Sequence, residues 1–170
     1  DSGTDNQFVP VTGLSADIHE RHACGLLSNG SGYCWGYGGS GRLGDGDTGG
    51  HNATSPVAIN TTINSWKNIS VGYYHSCGIK LNGSLYCWGY GADGELGDGS
   101  TNGHDVGNPT PVNMTDNNWS MVSPGLVHTC GIHANGSAYC WGDGSYGKLG
   151  DGDETLHEEG NPKPISIANN

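Results

Sequence analysis

Basic residues are scarce in this sequence. Six Lys and Arg stand against 17 Asp and Glu, leaving a formal charge of −11. A surface this acidic repels phosphate backbones and anionic lipid heads, which argues against nucleic-acid binding and against a membrane surface. No apolar run approaches the roughly 20 residues that a spanning helix requires, so membrane insertion is not expected. No nucleophile elbow, no Ser/His/Asp order and no carboxylate pair outside the acidic loops appears, so an enzyme is not expected. Cysteine is present, yet the C-x2-C and C-x4-C spacings of metal sites are missing.

Glycine is abundant, at 32 of 170 residues without a G-x-y period, which points to many tight turns joining short strands. Much of it falls in a 25-residue segment that begins at His22, His75 and His128. The common pattern is H-x-C-G-x3-N-G-S-x-Y-C-W-G-x-G-x2-G-x-L-G-D-G, with 16 positions identical in all three copies and a constant offset of 53. Such self-similarity is the signature of a solenoid, propeller or array. The expectation is a single repeat domain over 1–170, with units at 1–54, 55–107 and 108–170. The first unit is an atypical N-terminal edge: Trp66 and Trp119 share a register at which it carries Gly13.

Each copy predicts a β-hairpin. Strands 24–27 and 31–36 flank Ser28-Asn29-Gly30, and a type I turn followed by Gly in a left-handed conformation makes a three-residue loop. That register sets Cys24 opposite Cys34 and Gly25 opposite Tyr33, whereas a two-residue turn would misplace the cysteines. The six cysteines therefore read as three disulfides, Cys24–Cys34, Cys77–Cys87 and Cys130–Cys140, in an oxidising compartment. Each small closed loop contributes about 3 kcal/mol in the chain-entropy account. Tyr33 and Trp35 belong to the face opposite Cys34, because side chains alternate along a strand.

After the hairpin, the glycine-rich stretch reads as a compact loop anchored by Leu43, Leu96 or Leu149. A variable polar loop follows, then a Pro-bounded strand: SPVAI at 55–59, PTPVNM at 109–114 and PKPISI at 162–167. Phe8–Val11 reads as a short strand entering the first unit. Each unit then holds about four short antiparallel strands, the content of one propeller blade.

The succession of G-x2-H-x-C-G, N-G-S-x-Y-C-W-G, G-x-L-G-D-G and a P-x-V strand resembles the repeat of the regulator of chromosome condensation family, from about residue 8 to 167. The resemblance implies an all-β fold of β-propeller blades, seven in a complete ring. Paired cysteines, an acidic surface and many sequons set this chain apart from the nuclear namesake, so exchange-factor activity and chromatin binding are not carried over. Three blades do not close a ring, since propellers typically need about four to eight. Further chain or further subunits must complete the architecture, and a head-to-tail contact that does not close gives a filament.

Eight N-x-S/T sequons begin at Asn29, Asn52, Asn60, Asn68, Asn82, Asn113, Asn118 and Asn135, where random placement gives about 2.5. Together with the cysteines they point to a secreted protein. The chain opens at Asp1 without Met or an apolar leader, consistent with a signal peptide that was removed or lies outside this sequence. His22, His75 and His128 belong to the repeat and read as blade residues rather than a ring of metal ligands. His51, His104 and His157 also recur at 53 in variable loops, a pattern open to zinc binding or proton sensing. Asp45, Asp98 and Asp151 of LGDG read as turn formers. With Asp47, Asp153, Glu154, Glu158 and Glu159 they supply the candidates for calcium, chiefly Asp45, Asp47, Asp151 and Asp153. No loop has the full D-x-D-x-D-G-x5-E spacing, and no cofactor beyond covalent N-glycans is expected. Trp35, Trp88 and Trp141 suit packing between blades better than sugar stacking.

The resulting expectation is a non-enzymatic secreted glycoprotein that serves as a structural unit of an extracellular fibre, sheath or matrix and has copies of itself as partners. The alternative is a recognition domain whose propeller loops bind an extracellular protein or a carbohydrate.

Overall fold

The computed structural model describes residues 10–17, 21–60 and 65–166. Three four-stranded antiparallel sheets follow one another along the chain. The first holds β1 (Val11–Ala16), β2 (His22–Leu27), β3 (Gly32–Gly39) and β4 (Gly49–Ala58). The second holds β5 (Trp66–Val71), β6 (His75–Lys80), β7 (Leu85–Tyr90) and β8 (Asp105–Pro111). The third holds β9 (Trp119–Pro124), β10 (His128–His133), β11 (Ala138–Asp143) and β12 (Glu158–Pro164). In each sheet the strands lie side by side in chain order. The fold is thus all-β, three propeller blades in an open arc.

The hairpin register is the expected one. Cys24 pairs with Cys34 and Gly25 with Tyr33, and the other two blades repeat this as Cys77 with Cys87 and Cys130 with Cys140. Gly30, at φ 82°, closes the turn by donating its N–H to the Leu27 carbonyl at 2.9 Å. The Asn29 side chain accepts the Ser31 N–H at 2.9 Å, and Asn82 and Asn135 do the same for Ser84 and Ser137. All three disulfides are formed.

Several expectations about borders change. The sheets span 11–58, 66–111 and 119–164, so borders at 54/55 and 107/108 fall inside β4 and β8. The Pro-bounded strands close the sheet of the preceding hairpin, and their pairing starts earlier, at Gly49, Asp105 and Glu158. They are edge strands, where a proline lacking N–H leaves no ladder bond unmade. The first strand is Val11–Ala16 rather than Phe8–Val11, and Phe8, Val9 and Ile167 lie outside the described residues. Val11, not Gly13, occupies the register of Trp66 and Trp119: it pairs with Leu27 as Trp66 pairs with Lys80 and Trp119 with His133. Five residues separate β1 from β2, against three between β5 and β6 and between β9 and β10, which shifts the count.

Period-2 alternation gives every blade a cysteine face and a tryptophan face. Blade 1 buries Cys24, Leu26 and Cys34 against Trp66, Ile69, Val71 and Trp88 of blade 2. Blade 2 buries Cys77, Ile79, Leu85 and Cys87 against Trp119, Val122 and Trp141 of blade 3. The core is therefore two joints between blades rather than one central cluster. Leu43, Leu96 and Leu149 are fully buried and anchor the glycine-rich loops.

Candidate functional site: the blade joints and the exposed faces

Both joints carry the same polar relay. The His22 Nε2–H donates to Ser76 Oγ at 2.8 Å, and the Ser76 hydroxyl donates to the Arg42 carbonyl at 3.0 Å. That carbonyl also accepts the Trp88 Nε1–H at 3.1 Å. One repeat on, His75 donates to Thr129 at 2.7 Å, Thr129 to the Glu95 carbonyl at 2.8 Å, and Trp141 Nε1 to the same carbonyl at 3.0 Å. A hydroxyl has one proton, and since it goes to the carbonyl, Nε2 must be the protonated histidine nitrogen. Burial lowers the His22 pKa to about 4, with Arg42 adding to the effect and Asp17 opposing it. For His75 burial, then the neighbouring His22, His128 and Arg42, lower it to about 3. These histidines are neutral fasteners between blades. His128 has its pKa lowered by burial and then Lys148.

The residues that supply the central carbonyl differ in charge. Arg42 donates Nε to the Gly39 carbonyl at 2.7 Å and Nη1 to the Tyr73 carbonyl at 2.9 Å, and it stacks against the rings of Tyr37 and Tyr74. Glu95 is fully buried. One carboxylate oxygen accepts the Asp93 N–H at 2.8 Å, and the other has no partner among the described residues. Burial raises its pKa to about 7 against the pull of the backbone N–H groups of Glu95 and Asp93.

The second set of recurrent histidines closes the acidic loops one by one. His51 Nε2 lies 2.9 Å from Asp45 Oδ2, His104 2.9 Å from Asp98 and His157 3.0 Å from Asp151. The other oxygens of Asp45, Asp98 and Asp151 accept backbone N–H groups two residues on, as expected of turn formers. Asp47 accepts the Gly49 N–H and also faces His51, Asp153 binds Thr155, and Glu159 pairs with Lys163. The pKa of His157 is raised by its hydrogen bonds to the Thr155 carbonyl and Asp151. Burial works against the charged form of His104, but the Asn102 carbonyl and Asp98 together outweigh it and raise the pKa. Each histidine thus serves its own loop, and no group of three or more His, Cys, Asp or Glu among the described residues is placed to hold a metal ion.

All eight sequon asparagines are exposed. Asn29, Asn82 and Asn135 sit at hairpin tips. Two others bridge blades: Asn60 Nδ2 donates to Asn108 Oδ1 at 2.7 Å, and Asn113 Nδ2 to Asn161 Oδ1 at 2.7 Å. Trp88 and Trp141 are fully buried in the joints, while Trp35 is only half-buried, with no blade over it among the described residues.

Fold and repeat together define a set of β-propeller blades. The Regulator of chromosome condensation (RCC1) repeat matches residues 29–79 and 82–132, and a second description of that repeat matches 66–95 and 123–148. The chain belongs to this repeat family. Among curated relatives, it is 31% identical to the human E3 ubiquitin-protein ligase HERC2 over 150 residues, which is 84% of this chain and 3% of that protein. To the Arabidopsis thaliana ultraviolet-B receptor UVR8 it is 34% identical, covering 72% of this chain and 28% of the receptor. The chain thus spans well under half the length of these relatives. Among solved structures, yeast RCC1 (Prp20) bound to Kap60 superposes with a TM-score of 0.81 at 25% identity, over 93% of this chain and 37% of that one. Human WBSCR16 gives 0.78 at 20% identity, over 91% and 37%, a likeness of fold alone. No helix among the described residues is long and apolar enough to cross a membrane.

Proposed function

We propose that this chain is a secreted, non-enzymatic glycoprotein that serves as a structural unit of an extracellular assembly built from propeller blades. The observation that carries the reading is the pair of blade faces, one at each end of the arc, that no blade covers among the described residues. Val11 and Leu14 are 61% and 68% exposed on one, and Met121 and Ile132 are 57% and 38% exposed on the other. Support also comes from a disulfide in every hairpin and eight exposed sequons, which suit an oxidising exterior and a glycan coat. A glycan on Asn60 or Asn113 takes one of the two Nδ2 hydrogens. The bridge to the next blade then survives only through the remaining one.

A second reading, a recognition domain binding protein or carbohydrate through its loops, draws on the relatives. One solved Prp20 structure contains Kap60, and another is described with binding to Gsp1p and histones. Expression through a eukaryotic secretory pathway tests the first reading. The expected product carries several N-glycans by intact mass and sediments as species larger than one chain without added ligand. An unglycosylated product, or a monomer at every concentration, overturns it.

A further inference from the structure

The two free faces are of opposite kinds. Among the described residues nothing covers the tryptophan face of blade 1, where Val11, Leu14, Leu27, Tyr33, Trp35 and Pro56 line an apolar depression. Among the described residues no blade covers the cysteine face of blade 3, where Met121, Ile132, Ile165 and the Cys130–Cys140 disulfide line a second depression. Inside the chain, faces of these two kinds bury one another twice. We infer that the cysteine face of blade 3 receives the tryptophan face of blade 1 from a second copy of this chain, at a spacing of its own. This rests on the assembly reading above.

The side chains on the two faces support docking. Leu27 of blade 1 stands in the register of Lys80 and His133, and Leu14 in that of Ile69 and Val122. Met121 of blade 3 stands where the other blades have Gly13 and Asn68. Each free face is therefore apolar at a position that is polar in at least one internal copy, the reverse of what a permanently hydrated face requires.

The spacing differs from the internal one at three positions. In the internal joints the Gly46 N–H donates to the Gly107 carbonyl at 2.8 Å, and Gly99 to Gly160 at 2.8 Å. A Cβ on Gly107 would lie 2.8 Å from the Gly46 carbonyl carbon, and one on Gly160 2.9 Å from that of Gly99. In blade 1, Gly36 pairs with Ala53 as Gly89 pairs with Val106 in blade 2, so Thr54 holds the place of Gly107. Its β-branched side chain holds an incoming Gly152 away. Ala23 stands where Ser76 and Thr129 receive the histidine of the preceding blade, so His128 of a docked copy finds no hydroxyl. Val11 replaces the tryptophan of β5 and β9. A joint with these changes does not repeat the internal blade angle, which favours an open run of chains over a closed six-blade ring.

Two variants test the joint. Leu14→Asp disables the blade 1 face and Met121→Asp the blade 3 face. Both side chains are largely exposed, and unchanged far-ultraviolet circular dichroism and melting confirm folding. By analytical ultracentrifugation the wild type is expected to assemble, each variant alone to remain a single chain, and an equimolar mixture to form dimers and nothing larger. Single variants that assemble like the wild type, or a mixture that stays monomeric, overturn the joint while leaving the assembly reading intact. A wild type that stays monomeric overturns both, and leaves the free faces to a different partner.

Discussion

The two internal joints share a backbone scheme and differ in the side chain at its centre. In both, the carbonyl of residue 42 or 95 receives a hydroxyl and an indole N–H from the next blade. The side chain above that carbonyl is Arg42 in one joint and Glu95 in the other. The position is used for its backbone, and either side chain is tolerated there, each by its own means. Arg42 keeps its charge by donating to carbonyls and stacking on tyrosines. Burial favours the neutral form of Glu95 and raises its pKa to about 7.

The largest expected effect falls on what the joints share. Trp88→Ala and Trp141→Ala each empty a fully buried site and are expected to cost about 3–5 kcal/mol, read by chemical denaturation. If either costs less than a surface substitution, the joints are not the core. Next in size, Cys24→Ser with Cys34→Ser removes a disulfide worth about 3 kcal/mol. The same change in blade 2 or 3 should cost a similar amount, since all three loops have a sequence separation of 10.

The third effect separates the two joints by pH. His22 and His75 have folded pKa values of about 4 and about 3. Below about 6.5 the unfolded chain binds protons that these buried rings refuse, so stability is full above that pH and falls on acidification. Glu95 acts in the opposite direction. Its folded pKa of about 7 lies above the unfolded 4.5, so its contribution is full below 4.5 and is lost as pH rises towards 7. Glu95→Gln is therefore expected to raise the melting temperature at pH 8 while leaving it nearly unchanged at pH 4. Equal gains at both pH values would contradict a buried, titrating carboxyl. The smallest effect belongs to the loops: His104→Ala should barely move the melting midpoint, yet hasten amide exchange around Asn102 by releasing the Asp98 bond.

The hairpins were legible in the sequence because their chemistry is local and repeated without variation. Asn-Gly sets the turn, and the cysteines then leave one register. The joints were harder to read. Ser76 and Thr129 fall at the variable position of H-x-C-G, and Ala23 in the first copy hides the hydroxyl that the other two share. Arg42 and Glu95 look unrelated because the scheme uses their carbonyl. The blade borders were misplaced because a proline strand looks like the start of a unit, although its edge position makes it the end of one. The strand pairing also moved the Trp66 register from Gly13 to Val11, which a fixed offset of 53 cannot reveal when one turn is longer.

The account's central claim is that blades bury one another in series and that the chain carries this beyond its own three. Electron microscopy of the protein isolated from its natural source, without refolding, tests it most directly. Filaments in which blades follow one another in an unbroken series are the predicted result. Discrete closed rings, or single three-blade particles with no tendency to join, would contradict it.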